Sequence, residues 1–521
     1  MRIRIAKLIT FVVLLLNVIA IYCIWKLLSS RSRIKSTNVY KSIEKETSVT
    51  LDNKDEGYLR LSQKDVTIVI RAFEEFENDI PETVKSILIA FRDINVIIVC
   101  DKPLYPPLQL NISSPFYRNV KIINLLPNLS TPLKDRLPIF HIKGKYVLFI
   151  PDSSRISSGS FLRDIGDSYQ RQSQDILAIP FKSEKSVTCL KVKLQSREWT
   201  ARFSNVKYAD SCDFIRGRHA LFMNSEILYK LSDPFLLPFP NAFYIQAASN
   251  NLNVKLATDV FLLSGQELYT SHHSKWKLQQ VDRERTKAMY TGLQIKKVVK
   301  ETGVTEWYGC RRDTQRCFGT VLDETPQYLY EGKWTPPCCL AGLRKVTRHV
   351  VSQLEGAGVR YWLEGGSLLG AMRASDILPW DYDVDIGIYQ DDIGRCSWLQ
   401  RATSKPVADQ HGYIWEKAIE GEFFRVQYSS VNRLHVDIFP FYSRNGTMTK
   451  NTWFKSHPQD REFPEHFLKP FSSIEFIGRT VSAPNNIHDF LELKFGEGVI
   501  ENPEYPNPQK LSMSSQMNAV N

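Results

Sequence analysis

Between residues 66 and 150, short apolar runs alternate with segments of mixed polarity. Residues 66–70, 96–100, 120–123 and 146–150 read as strands. Residues 81–91 place Val84, Ile87, Leu88 and Phe91 at helical spacing behind Pro81, a residue favoured in a first turn. Strands alternating with helical stretches predict a parallel α/β domain. A second set of patterns begins near residue 359. Residues 359–364 form an apolar-rich strand that runs into Gly365-Gly366, and Ser367 is placed to cap a short helix over 368–373. Residues 381–385 alternate strictly. With a side-chain period of two, Asp381, Asp383 and Asp385 project from one face of a strand, Tyr382 and Val384 from the other. Residues 434–439 are a further strand, with Asp437 between apolar neighbours. His435 next to it is expected on the opposite face, in a core or surface role.

The N-terminus has a different pattern. Residues 8–25 are apolar except for Thr10, Asn17 and Tyr22, and with Leu27 and Leu28 the run approaches the ~20 residues that span a bilayer. No small-x-small cleavage site follows, so the run is expected to be an uncleaved signal-anchor over 8–28 rather than a removed signal peptide. It divides a short tail (1–7) from a polar, charged stem (29–64). Both flanks are basic, so the positive-inside rule does not settle orientation. The sequons at Asn111, Asn128 and Asn445 favour a lumenal body and a single-pass type II membrane protein.

Composition changes this picture in two ways. A chain of 521 residues is too long for one ordinary domain. We expect two after the stem, over 65–300 and 301–521. The net charge of +11 is misleading, because residues 1–35 carry seven Lys and Arg and no acid, which leaves +4 for the rest. Nucleic-acid binding therefore has no support from charge.

The candidate chemistry sits on the second set of patterns. Carboxylates held side by side repel one another unless a cation lies between them. All-oxygen ligands suit Mg²⁺ or Mn²⁺, the usual partners of a phosphate in phosphoryl transfer. Asp381, Asp383 and Asp385 are the candidate ligands. A D-x-D could equally be an acidic surface turn, but the glycine pair upstream allows close approach of backbone N–H groups to an anion, and the helix start adds favourable partial charge. A strand ending in Gly-Gly-Ser, a D-x-D strand and a later strand with Asp437 resemble the nucleotidyltransferase fold of the DNA polymerase β type. In the first domain, the strand at 146–150 ends in Pro151-Asp152-Ser153-Ser154, one acid where a nucleotide-sugar glycosyltransferase would carry D-x-D. That domain is expected to be glycosyltransferase-like but non-catalytic.

Cys189 and Cys212 are candidates for a disulfide in an oxidising lumen. Cys310, Cys317, Cys338 and Cys339 fall within thirty positions and admit two readings: two disulfides, or a Cys₄ zinc site whose spacing departs from the usual C-x₂₋₄-C. Spacing alone slightly favours disulfides.

Longer strings carry a closer resemblance. Trp307-Tyr308-Gly309-Cys310, Arg316-Cys317-Phe318-Gly319, Trp334-Thr335-Pro336-Pro337-Cys338-Cys339, the glycine and aspartate strands, Phe424-Arg425-Val426-Gln427-Tyr428 and Glu462-Phe463-Pro464-Glu465-His466-Phe467 are similar to the fukutin and LicD family. The similarity is dense from about Cys310 to Pro508. It implies a Golgi ribitol 5-phosphate transferase that uses CDP-ribitol, extends a ribitol phosphate on the O-mannosyl glycan of α-dystroglycan and releases CMP. It also implies zinc on Cys310, Cys317, Cys338 and Cys339, a non-catalytic stem domain, self-association and a complex with fukutin.

The roles that follow are expectations. Asp383 and Asp385, with Asp381 in or next to the first shell, hold Mg²⁺; Asp437 is general base or a further ligand. Gly366 and Ser367 cradle phosphate, Arg373 pairs with it, and Trp380, beside Tyr382, walls the cytidine. Gln459, Asp460, Asn502, Pro503 and Glu504 complete the nucleotide pocket by resemblance. Lys494 is a phosphate contact or a solvated helix residue. The rival functions are a same-fold transferase with another donor and a non-catalytic Golgi glycan-binding scaffold.

Overall fold

The computed structural model describes residues 59–502, except 112, 127–129, 173–174, 184–186, 207–210, 315–320, 323–324, 455–456 and 458. The expected tail, anchor and nearly all of the stem therefore lie outside the described residues, as do Asn128, Cys317, Pro503 and Glu504. Among the described residues, no helix is long and apolar enough to cross a membrane. The described residues form two compact units, one within 59–191 and 205–286, the other within 192–204 and 287–502.

The first unit is built on a seven-stranded sheet. Its strands are β1 (Val66–Ile70), β2 (Asn95–Cys100), β3 (Val120–Asn124), β4 (Tyr146–Phe149), β5 (Ile176–Pro180), β6 (His219–Asn224) and β7 (Val254–Leu256), in the order β7-β5-β6-β4-β1-β2-β3. The expected strands are all present. The sheet is mixed rather than parallel, because β6 runs antiparallel to both β4 and β5. Helix α1 (Ile80–Ala90) has Pro81 in its first turn and buries Ile80, Val84, Ile87 and Leu88 in the core this sheet shares. Cys189 and Cys212 are joined in a disulfide, with Cα atoms 5.4 Å apart.

Asp152, the lone acid after β4, is buried. Its carboxylate accepts from the backbone N–H groups of Asp79 (3.1 Å to each oxygen) and Ser153 (2.6 Å). Burial raises its pKa to about 6 against the pull of those donors. Asp79 next to it pairs with Arg155 at 2.6 Å. The acid is thus a staple between loops.

The second unit opens with residues 192–204, which join it because the strand Thr200–Asn205 pairs in parallel with Lys297–Val299. Helix α2 (Pro337–Gly356) starts on a proline and buries Leu343, Val346, Val350, Val351 and Leu354. Then follow β8 (Tyr361–Leu363), α3 (Gly365–Ala374), β9 (Asp383–Tyr389), β10 (Val407–Ala408), β11 (Ile414–Lys417), β12 (Phe424–Gln427) and β13 (His435–Arg444). These strands lie in the order β8-β9-β13-β12-β11-β10. The hairpin after β13 turns on Asn445-Gly446, both at positive φ, as a two-residue turn of this type requires. Asn445 and Asn111 are both exposed. Later come β14 (Arg479–Ala483) and a closing helix, α4 (Ile487–Phe495).

Strand β9 has the expected period of two. Val384, Ile386 and Ile388 are fully buried, whereas Asp383 and Asp385 are half-buried on the other face. Further along the aspartate face, Gly387 leaves room for Trp362, which is fully buried; a Cβ on Gly387 would lie 2.3 Å from the indole. Gly387→Ala should therefore lose about 1–3 kcal/mol or more by overpacking, seen as a lower melting temperature. An unchanged transition would show that Trp362 can move.

Candidate active site

The aspartates are set by two strands and one turn. β9 and β13 are parallel neighbours in a register that puts Asp383 beside His435 and Asp385 beside Asp437. β12 lies antiparallel to β13 with Arg425 opposite Asp437. Register partners share a face, so Asp385, Asp437 and Arg425 form a row across three strands. Asp381 is not on the strand. It lies in the turn before β9, with its N–H donating to Leu378 O at 3.0 Å. Its carboxylate nonetheless returns to the same place, because it shares a hydrogen bond with Asp383.

Burial raises the pKa of all three carboxyls, and for Asp381 and Asp385 the neighbouring acids raise it further. Asp383 feels Asp437 in the same sense, against the opposing charge of His435. Such a cluster favours either protons or a cation. The donor set is all oxygen, as a hard divalent ion needs.

The glycine pair closes the cluster from the β8 side. Gly365 has φ +53°, and a Cβ on Gly366 would come 2.9 Å from Asp381 Oδ2. α3 begins at Gly365, two residues before the expected Ser367 cap. The Ser367 hydroxyl is buried and accepts from the Asp385 N–H at 2.9 Å, tying the helix start to β9. Glu364 precedes the pair. Its N–H donates to Asp385 O at 3.0 Å, and its carbonyl accepts from Ser367 and Leu368 N–H.

Other expected residues take different partners. Both oxygens of Asp437 are held by Arg425, at 2.8 and 2.9 Å. Burial disfavours the Arg425 cation, but Asp437 and Glu420 outweigh it and raise its pKa. With both oxygens engaged by Arg425, Asp437 is poorly placed to take a proton from a substrate. His435 shares the face of Asp437, not the opposite one, because residues two apart on a strand project the same way; its Nε2 is 3.8 Å from Asp437 Oδ2. The Arg373 guanidinium donates to the carbonyls of Val499 and Asn502, and its Nε is buried without a partner among the described residues. Asp460 pairs with the buried Lys450 at 2.7 Å, and Gln459 contacts His457 at 3.4 Å. Lys494 is neither exposed nor free; it is buried against Glu364 at 2.6 Å. Sequence reasoning gave no role to Arg425, Glu364 or Lys450. The one readable signal was the F-R-V-Q alternation, which puts Arg425 on the polar face of β12.

Three of the four clustered cysteines come together. Cys310 is paired with Cys338, and Cys339 Sγ is 3.6 Å from Cys310 Sγ. The three sulfurs lie within 4.8 Å of one another. Cys310 and Cys339 also belong to the apolar cluster that holds Trp380, Tyr382 and Tyr428. The loop after Cys310 docks on the turn between β12 and β13. Arg312 O accepts from Ser429 Oγ at 2.7 Å, Arg311 O from Asn432 Nδ2 at 3.0 Å, and Arg312 Nε donates to Tyr428 O at 3.0 Å.

A mixed sheet that gathers aspartates from two parallel strands beside a Gly-Gly helix start is a nucleotidyltransferase-like domain. Residues 358–486 match the family profile described as "LicD/FKTN/FKRP, nucleotidyltransferase domain", and residues 55–301 match "Fukutin-related protein stem domain". Over 449 residues the chain is 46% identical to the mouse protein named "Ribitol 5-phosphate transferase FKRP", covering 86% of this chain and 90% of that one. The human protein of the same name is 45% identical over the same span. Human "Ribitol-5-phosphate transferase FKTN" is 22% identical over 203 residues, 38% of this chain and 41% of its own. The chain belongs to the fukutin-related protein family.

Arg425→Ala should strand the buried Asp437 carboxylate and cost about 3–5 kcal/mol, and adding Asp437→Ala should recover part of the loss. Urea denaturation of the single and double variants measures this. Losses of Arg425→Ala and Asp437→Ala that simply add in the double variant would mean the pair is not coupled.

Proposed function

We propose that the chain transfers ribitol 5-phosphate from CDP-ribitol to a ribitol phosphate on the O-mannosyl glycan of α-dystroglycan, releasing CMP. The observation that carries a phosphotransfer reaction is the convergence of Asp381, Asp383 and Asp385 with Asp437 beside Gly365-Gly366. The relatives named as ribitol 5-phosphate transferases supply the transferred group.

Asp381, Asp383 and Asp385 would hold Mg²⁺ or Mn²⁺, which when bound offsets charge on the diphosphate and on the departing CMP. Gly366 allows backbone N–H groups close to phosphate, at the positive end of α3. The orphaned Nε of Arg373 is a donor that a phosphate oxygen would satisfy. An acceptor hydroxyl oxygen bonds to the ribitol-bearing phosphorus. The bond from that phosphorus to the bridging oxygen breaks, and CMP leaves with the oxygen. In a loose transition state the acceptor proton departs late, so a strong base is not needed. His435 would receive it. Its Nδ1 lies 2.9 Å from Arg433 O, which leaves Nε2 on the carboxylate side. Asp437, neutralised by Arg425, would serve as a further ligand. Trp380 and Tyr382 flank the aspartate turn and would wall the cytidine.

Cys310, Cys317, Cys338 and Cys339 would hold Zn²⁺. The three described sulfurs lie within 4.8 Å of one another, but those of Cys310 and Cys338 are joined in a disulfide here, so zinc would be held by the reduced cluster. We place the protein in the Golgi membrane, anchored through residues 8–28 with both units lumenal and glycans on its sequons; the Cys189–Cys212 disulfide and exposed Asn111 and Asn445 support a lumenal body. Self-association, and association with fukutin, complete the proposal.

Asp383→Ala and Asp385→Ala should each lower CMP release from CDP-ribitol by at least about 10²–10³-fold. In the absence of divalent ions, their melting temperatures should equal or exceed wild type, since one repelling carboxyl is gone. The Mg²⁺-dependent rise in melting temperature should vanish in both. Full turnover in either variant would sink the ligand assignment, and release of diphosphate instead of CMP would sink the reaction. Elemental analysis of the purified protein should find stoichiometric zinc. No zinc, with all four cysteines oxidised, would return the cluster to two disulfides.

A further inference from the structure

Glu364 and Lys494 form an ion pair at 2.6 Å, and their residues are 5% and 1% exposed. Two charges so far from water are costly, and a plain fold anchor of apolar residues would be cheaper. The pair therefore calls for a reason beyond stability. Its connections suggest one. The second oxygen of Glu364 accepts from Trp362 Nε1 at 2.7 Å, and its backbone starts the Gly365-Gly366 turn. Lys494 comes from α4, more than a hundred residues downstream, and its Nζ also donates to Arg461 O at 2.8 Å. The ammonium rests over the rings of Phe463 and Phe490, 4.7 and 5.4 Å from their centroids. One Nζ thus joins the glycine turn, the segment after Gln459-Asp460 and the closing helix.

We propose that Lys494 is a positioning residue for the phosphate-binding glycine turn: through Glu364 it fixes Gly365-Gly366 against β9, while the Arg461 carbonyl holds its ammonium in place. This rests on the donor reading given above. Lys494 itself touches no substrate. An ammonium suits the task because it donates to a carboxylate and a carbonyl at once, with no acceptor of its own. Methionine fills the same channel of aromatic rings but makes neither bond. Trp362 and Asp385 on the Glu364 side carry any displacement to the aspartate cluster.

The experiment compares wild type with Lys494→Met and with the double variant Glu364→Gln/Lys494→Met. Each is tested for melting temperature, for KM and kcat with CDP-ribitol, and for affinity to CDP by calorimetry. The single variant should lose roughly 10 °C, because it leaves a buried carboxylate unpaired. The double variant, with no buried charge left, should recover most of that loss. It should nevertheless show KM for CDP-ribitol and Kd for CDP raised at least tenfold. KM does not depend on how much of the enzyme is folded, so it decides even if the double variant stays unstable. KM and Kd equal to wild type in the double variant would overturn the proposal and leave the pair a structural one. A wild-type protein that binds CDP but transfers nothing from CDP-ribitol would instead overturn the activity, and the effect of the pair on CDP affinity would still be read.

Discussion

Like charges crowded on one face of a sheet set the terms for the rest of the second unit. β9 and β13 bring Asp383, Asp385 and Asp437 together because parallel register leaves them no choice, and the turn before β9 adds Asp381. The other face of β9 is dry, so the strand cannot roll the acids away. Two basic residues answer this negative charge: Arg425 on β12 takes Asp437, and the Asp385 carboxylate feels Lys450. The Ser367 hydroxyl, by accepting from the Asp385 N–H, holds the strand in place. Buried acids that raise one another's pKa mark this face as a site rather than a core.

The two units handle a buried acid in opposite ways. Asp152 in the first is satisfied by backbone N–H groups of adjacent loops, so its position is complete without a ligand. The aspartates of the second unit have far fewer internal donors than lone pairs. A single acid can be closed off by the loops around it; three acids on two adjacent strands, joined by a fourth from a turn, cannot.

Much of this was legible in the sequence. Period-two alternation gave the faces of β9 and the burial of Val384 and Ile386, and the glycine pair marked the strand-to-helix turn. The errors have physical causes. Asp381 belongs to the turn although the alternation continues into it, because the strand starts only at Asp383. His435 shares the face of Asp437, against expectation, because residues two apart on a strand project the same way. Arg425, Lys494 and Lys450 could not be assigned from the sequence, because their partners are set by register and by helix packing across many residues. The pairing of Asp460 with Lys450 is of the same kind.

The contact between the cysteine loop and the turn from β12 to β13 has a kinetic side. Arg312 O and Ser429 Oγ are 117 residues apart in sequence, so their bond closes a very long loop. Closure of that kind is entropically slow and is rewarded only once both ends are structured. The strands carrying Arg425 and Asp437 meet at that turn. The chain must therefore be synthesised well past residue 432 before this face can reach its final shape, so the loop that follows Cys310 waits for a partner made more than a hundred residues later.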